Sequence, residues 1–554
     1  MRTTNRVILS EPRIPVILSE PRRGESPAVI LSEPQSGESP RVILSEPRSG
    51  ESKDLPARPT TRFFDSAASG RFAQNDGGMF LRTLTLSLLL AAPLAAQRPF
   101  PTTPPALPPL KPVALPRFVD RTLPNGLRLI VVEQRELPVL DATLVIGTGA
   151  ESDPVGKRGL ATLTANLLDE GTTSRSSIAI AEQSALLGVQ LFTTAGYEQS
   201  TIGLHTTTAV LDSALSLFAD VVRRPAFADA EFTRIRKERL TGLLQEQDRG
   251  PAIADRAFAH IVFGPDHPYG HVPQGDATDV ESFTRDDIQR FWSQWYRPNN
   301  ATLIIVGDIA PADAERRATA LFGDWARASL PARPTFTPPA TNAARIYLID
   351  KKQAPQSSFR IGTLGVARST PDFYPLTVMN TVLGGAFTSR LNNNLRETKG
   401  YTYGASSGFG LRRNAGPFTA RAEVVAEKTD SALIEFMKEL RDIRKPVPAA
   451  ELLKAKRYLT LGYAERFEST RDIAGELAGV VTQGIPIETL SRFQQNVARV
   501  TAADVQRVAT QYVNPARLSI VIAGDRASIQ KPLEALKIAP VEIRGMAGRP
   551  PVVP

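Results

Sequence analysis

Apolar and polar positions follow two different periods along residues 126–306. Leu127-Arg-Leu-Ile-Val-Val and Asp141-Ala-Thr-Leu-Val-Ile predict two strands, and Thr302-Leu-Ile-Ile-Val is the short, continuous apolar run of a buried strand. Between them the period lengthens. Leu160, Leu163, Leu167 and Leu168 fall at i, i+3, i+7 and i+8, which predicts a helix with one apolar face. Helices are also predicted over 212–222 and 229–247, the second highly charged and ended by Gly250-Pro251. Strands grouped with helices, rather than alternating strictly with them, predict an α+β sandwich.

The pattern then recurs. Ile288-Gln-Arg-Phe-Trp-Ser-Gln-Trp-Tyr-Arg-Pro lies over Val505-Gln-Arg-Val-Ala-Thr-Gln-Tyr-Val-Asn-Pro, an offset of 217 residues (505 − 288). Thr302-Leu-Ile-Ile-Val-Gly-Asp lies over Ser519-Ile-Val-Ile-Ala-Gly-Asp, and Pro138 over Pro355, at the same offset and without a gap. The fold class expected is α+β: two homologous α/β sandwich domains, 113–328 and 344–540, with a Pro-rich linker at 329–343 and a tail at 541–554.

The first 112 residues read differently. Val-Ile-Leu-Ser-Glu-Pro begins at Val7, Val16, Val29 and Val42, and each unit is a few apolar residues stopped by Pro, too short to build a core. Residues 1–78 are read as translated upstream sequence, a disordered repeat rather than a binding element. Met79 opens a segment with one basic residue, an apolar run from Leu84 to Ala96 and small residues at its end, the form of a secretory signal peptide. The run is shorter than the roughly 20 residues of a membrane span. The chain is therefore expected to be exported without stable membrane insertion, with the periplasm as the expected compartment. Residues 97–112 are a Pro-rich linker.

Composition narrows the chemistry. Among 554 residues there is no Cys, which removes disulfides, thiol catalysis and Cys-ligated zinc, and there are only four His. The net charge of +9 comes without a dense basic run interleaved with aromatics, so no nucleic-acid partner is expected.

Residues 387–395 read as a helix with Phe387, Leu391 and Leu395 on one face. Arg396-Glu-Thr-Lys ends it, Gly400 fits its C′ position, and Tyr401-Thr-Tyr-Gly-Ala-Ser-Ser begins a strand. Together with Leu383-Gly-Gly-Ala-Phe-Thr-Ser-Arg, this block resembles the C-terminal-domain signature of the insulinase-like (pitrilysin, M16) zinc peptidases, of the two-domain subunit type. Leu123-Pro-Asn-Gly-Leu, Gly159-Leu-Ala, His267-Pro-Tyr-Gly and Tyr296-Arg-Pro-Asn-Asn-Ala carry the resemblance through the first half.

The resemblance implies an inverted zinc motif, His-x-x-Glu-His, on the first long helix, in which two His share a helix face and Glu takes a proton from metal-bound water. Here the two His positions fall on Thr162 and Asn166 and the Glu position on Ala165. The third ligand, a Glu, is expected between 241 and 244, where there is no carboxylate. The family's Asn-Ala on the substrate-facing edge strand appears as Leu191-Phe192. No metal is expected on this chain. His267 and His271 are at i, i+4, but Pro268 and Gly270 between them argue against a helix, so these His and His260 are read as structural, and His205 as an ordinary strand residue.

By the same resemblance, Arg396 and Tyr403 are the Arg and Tyr that reach the substrate from the C-terminal domain, donors able to hold a peptide carbonyl and steady the charge that develops on it. Tyr401 shares the predicted strand face with Tyr403, and only the family spacing selects the latter. The function implied is the non-zinc subunit of a heteromeric M16 peptidase. It would bind extended peptide at an edge strand, with zinc held by a His-x-x-Glu-His-bearing homologue and proteolysis only in that complex. The alternative is a non-enzymatic peptide-binding or structural assembly protein on the same fold.

Overall fold

The structure is a computed structural model and describes residues 113–333, 336, 337 and 343–550; the expectations for residues 1–112 lie outside them. Two six-stranded mixed sheets carry the fold. The first contains β1 (Phe118–Thr122), β2 (Arg128–Glu133), β3 (Val139–Ile146), β4 (Gln190–Ala195), β5 (Ser200–Thr207) and β6 (Ala301–Gly307), in the order β1-β2-β6-β3-β5-β4. The second contains β7 (Arg345–Asp350), β8 (Gln356–Leu364), β9 (Thr402–Phe409), β10 (Pro417–Val425), β11 (Ser519–Gly524) and β12 (Val541–Arg544), in the order β12-β7-β11-β8-β10-β9. The registers correspond. Arg128 pairs with Thr302 in parallel as Arg345 pairs with Ser519, and Leu144 opposes Leu303 as Ile361 opposes Ile520. The α+β class with two sheet-centred halves follows directly. Residues 541–544, read from sequence as tail, form β12, an edge strand parallel to β7.

Each sheet buries one face on helices of its own half. In the first, Leu129, Leu144, Ile202 and Leu303 meet Leu163, Phe218 and Phe291, all buried. The helix carrying Phe291 (Arg285–Trp295) starts at a capping box in which Thr284 and Asp287 bond each other's backbone N–H.

The opposite faces are exchanged between halves. Ile130, Val132, Val145, Ile304 and Val306 on the first sheet are covered by Ile473, Ala474 and Leu477 of a second-half helix, Thr470–Gln483. Reciprocally, Tyr347, Ile349, Val521 and Ala523 on the second sheet are covered by Ile253, Ala254, Ala257 and Phe258 of a first-half helix, Gly250–Phe263. Burial on both faces is why β6 reads as an unbroken apolar run.

Further contacts bind the halves. Arg413 donates to the carboxylate of Glu151 at 2.5 Å and to the carbonyl of Glu198 at 2.6 Å, while its backbone N–H reaches the Glu198 carboxylate at 2.8 Å. After β12 the chain crosses back to the first half, where Gly548 lies against Ala257 and Arg549 pairs with Asp276 at 3.5 Å.

Three further sequence expectations change. The helix at Leu160 ends at Asn166, with Leu167 and Leu168 buried just beyond it. Gly250-Pro251 does not merely end the preceding helix; Pro251 sits in the first turn of the next, where its missing N–H costs nothing. Phe387 is not on the buried face with Leu391 and Leu395. It lies in the turn before Arg390, 63% exposed, because the chain reverses there through the Ser389 N–H to Ala386 carbonyl bond.

Candidate functional site

The helix α1 (Leu160–Asn166) carries the three first-half site positions. It enters through Gly159 at φ +97°, where a Cβ would meet the Gln274 carbonyl oxygen at 2.6 Å, and the Asp153 carboxylate accepts from the N–H groups of Gly159 and Ala161 at 2.7 and 2.8 Å. Thr162 is buried and donates its hydroxyl proton to the Pro273 carbonyl at 2.5 Å. Ala165 is wholly buried in the first core. Asn166 accepts at Oδ1 from Arg239 Nη2 at 2.7 Å.

Arg239 comes from α2 (Asp229–Glu246) and also donates to the Gln274 carbonyl at 3.2 Å. Its guanidinium makes no ion pair among the described residues, and burial lowers its pKa from the usual value. These groups do not fit a zinc ion. A hydroxyl committed as donor, an amide oxygen committed to a cation and a methyl group offer it nothing, and the guanidinium adds a positive charge. Among the described residues no three His, Cys, Asp or Glu side chains stand close enough to share a metal.

Beside this place a cavity of about 540 Å³ is bounded by Asn166, Arg239, Gly242, the carboxylates of Asp169, Glu170, Glu238 and Glu246, and the edge strand β4 with Leu191 and Phe192. Among the described residues β4 pairs only with β5. The half-exposed Phe192 ring lies over Gly203, opposite it in the register, where a Cβ would come within 2.1 Å of the ring. That position requires glycine as long as Phe192 keeps its place.

In the second half, Arg396 lies in a π-helical segment, Asn393–Thr398. Its guanidinium stands over the Phe387 ring, 4.6 Å from the centroid, and 3.4 Å from Glu397. Gly400, at φ +65°, closes the turn by donating to the Arg396 carbonyl at 3.0 Å. Tyr403 is on β9 and 90% exposed. Tyr401 is not on that strand face. It precedes β9, donates its N–H to the Leu395 carbonyl and packs on the core, so of the two phenols only that of Tyr403 is presented openly.

β9 is also an edge strand, but its middle is closed. Asn392 accepts from the Ala405 N–H at 3.1 Å and Asn380 donates to the Ser407 carbonyl at 3.0 Å. No such bonds reach the backbone of β4 among the described residues, so β4 is the edge open to an added strand.

Residues 129–256 match the family Insulinase (Peptidase family M16), and residues 282–459 match Peptidase M16 inactive domain. The chain belongs to the M16 peptidase family. An uncharacterized zinc protease of Rickettsia bellii is 22% identical over 410 residues, 73% of this chain and 97% of that one. The M16 fold is shared with a Pseudomonas fluorescens protein described as a peptidase M16 inactive domain (TM-score 0.69, 29% identity, 74% of this chain and 98% of that one). It is also shared with the periplasmic protease PqqL of Escherichia coli (TM-score 0.62, 16% identity, 76% of this chain and 50% of that one).

Within this M16 chain the His residues are tied into local structure. His267 accepts from the Tyr269 N–H at 3.0 Å, His271 contacts the Pro265 carbonyl at 2.5 Å, and His205 contacts Asp141 at 3.0 Å across β5 and β3. Burial holds His260 and His267 down to about 4. Sequence reasoning missed Arg239 and Phe387 as parts of the two sites. Arg239 lay in a helix whose high charge hid one inward-facing cation, and Phe387 read as core. No helix among the described residues is long and apolar enough to cross a membrane.

Proposed function

We propose that the chain is the non-zinc subunit of a heteromeric M16 peptidase, binding an extended peptide and presenting Arg396 and Tyr403 to a partner's zinc-bearing site. The observation that carries this reading is the contrast between the halves. In the first half Arg239 is hydrogen-bonded to Asn166, while Tyr403 is exposed and Arg396 half-exposed, with no metal-binding cluster among the described residues for them to serve. A guanidinium and a phenol are donors for a peptide carbonyl and for the charge that grows on its oxygen. The open edge of β4 supports strand addition as the mode of peptide binding. Zinc belongs to the partner in this reading, a homologue bearing His-x-x-Glu-His. Export belongs to it too and rests on the segment that opens at Met79.

Affinity purification of the tagged chain from its native cells tests the reading: a stoichiometric zinc-bearing M16 homologue is expected. In the recovered complex Arg396→Ala should lower peptide hydrolysis about 10²-fold, chiefly in kcat. A homodimer without such a partner would instead support a peptide-binding or structural role. That second reading is favoured by the match of 282–459 to an inactive domain and by the Leu191-Phe192 pair.

A further inference from the structure

Between the Gly250–Phe263 helix and strands β9 and β10 lies a second cavity, of about 630 Å³, built from both halves. Its wall is aromatic: Tyr197, Phe258, Tyr269 and Phe409 line it, together with Arg412 and Arg421. Neither arginine makes an ion pair among the described residues. Arg412 is held by stacking, its guanidinium carbon 3.7 Å from the Tyr197 centroid and 4.3 Å from that of Tyr269. Its Nη1 is buried without a hydrogen-bond partner among the described residues. Among the described residues Arg421 donates only to the Ser406 hydroxyl, at 3.2 Å.

The one acid on the wall does not answer these cations. Asp255 is engaged by Arg360 through two bonds, of 2.5 and 3.1 Å, and Arg360 also holds Glu423 at 3.0 Å. Unpaired guanidiniums on an aromatic wall call for an anion with an apolar body. The volume exceeds that of a lone ion and suits an amino-acid residue with its carboxylate. Ser406 and Gly408 of β9 also line the cavity, on the strand that begins at Thr402 and Tyr403. Tyr197 stands in the turn between β4 and β5, so an extended chain added along the open β4 edge would run toward this cavity.

We propose that this cavity takes the C-terminal carboxylate of a peptide whose last side chain is apolar, gripped between Arg412 and Arg421. The inference rests on the peptide-binding reading and adds to it a preference for chain ends. The carboxylate is the ligand chemistry, and a small N-acylated amino acid would satisfy it as well as a peptide.

The test uses the full chain with two labelled hexapeptides of one sequence ending in Phe, one a free acid and one an amide, followed by fluorescence anisotropy. N-acetylphenylalanine and its amide are compared in parallel by calorimetry. The acid should bind about 10- to 100-fold more tightly than the amide, the range of a charge-assisted hydrogen bond pair. The exposed Arg421→Gln and, independently, Arg412→Gln should bring that ratio toward one. Equal binding of the two peptides sinks the carboxylate pocket while leaving peptide binding intact. A ratio that survives both substitutions also sinks it. If neither peptide binds but N-acetylphenylalanine does, as the acid only, the pocket stands and the peptide-binding reading fails.

Discussion

Arg239 donates from Nη2 to Oδ1 of Asn166 at 2.7 Å, joining α2 to α1 at a position that the resemblance to M16 peptidases assigns to a zinc ligand. The exchange of chemistry is complete in kind. A zinc ion demands electron-pair donors around it, whereas a guanidinium brings its own N–H donors and demands acceptors. The acceptors present are an amide oxygen and the Gln274 carbonyl.

Restoring ligands alone should therefore fail. A chain carrying Thr162→His, Ala165→Glu, Asn166→His and Gly242→Glu is expected to take up zinc poorly while Arg239 remains. With Arg239→Leu added it should hold about one ion per chain, the stoichiometry of a closed protein site. Gly242 lines the cavity and has open space for a Cβ, so the new Glu is sterically admitted. Metal analysis after dialysis decides the matter, and full zinc occupancy with Arg239 in place would refute its blocking role.

Phe387 should matter through Arg396. Their 4.6 Å stack is partly exposed, a geometry worth about 0.5–1 kcal/mol. Phe387→Ala is then expected to reduce turnover of the proposed heteromeric complex by roughly two- to fivefold, with Phe387→Trp restoring it. Loss of the same size in an Arg396→Ala background would show that Phe387 acts independently of the guanidinium.

Strands β2, β3 and β6 and the turn at Gly400 were legible because each is written in local periodicity or in a backbone need for positive φ, and the two-sheet plan because the pattern repeats along the chain. The exchange of helices was not. Ile473, Ala474 and Leu477 show an ordinary amphipathic face, and nothing in that spacing says which sheet it covers. Likewise Pro251 stops one helix and starts another, and a stop signal read alone conceals the second. The site was half legible. The family resemblance pointed to Thr162, Ala165, Asn166, Arg396 and Tyr403 as candidates, whereas Arg239 and Phe387 meet their partners only through tertiary contact.

The helix exchange predicts that the halves unfold together. All three Trp residues, 292, 295 and 325, belong to the first half, so their fluorescence reports that half alone. Phe436 is wholly buried in the second core, and Phe436→Ala should remove about 3–5 kcal/mol. The Trp-reported midpoint is expected to fall with it, in a single transition that coincides with far-UV ellipticity. A mutant whose Trp transition stays at the wild-type midpoint would show halves that unfold separately.

Opposed pH dependences follow from two groups, buried Glu151 and half-buried His260. Burial, partly offset by Arg413 and reinforced by Glu198, raises the Glu151 carboxyl to about 7. A carboxyl raised by folding contributes stability that is full below its unfolded value near 4.5 and is lost as pH rises through 7. Burial, with His271 alongside, lowers His260 to about 4; its contribution is present above its unfolded value of 6.5 and is lost as pH falls through 4. Glu151→Gln should therefore gain on the wild type as pH goes from about 5 to 8, and His260→Gln should gain as pH goes from about 6.5 to 4. Denaturant titrations of the three proteins across that range provide the check. The two difference curves must slope in opposite directions, and an offset independent of pH for either variant would refute the assignment of its group.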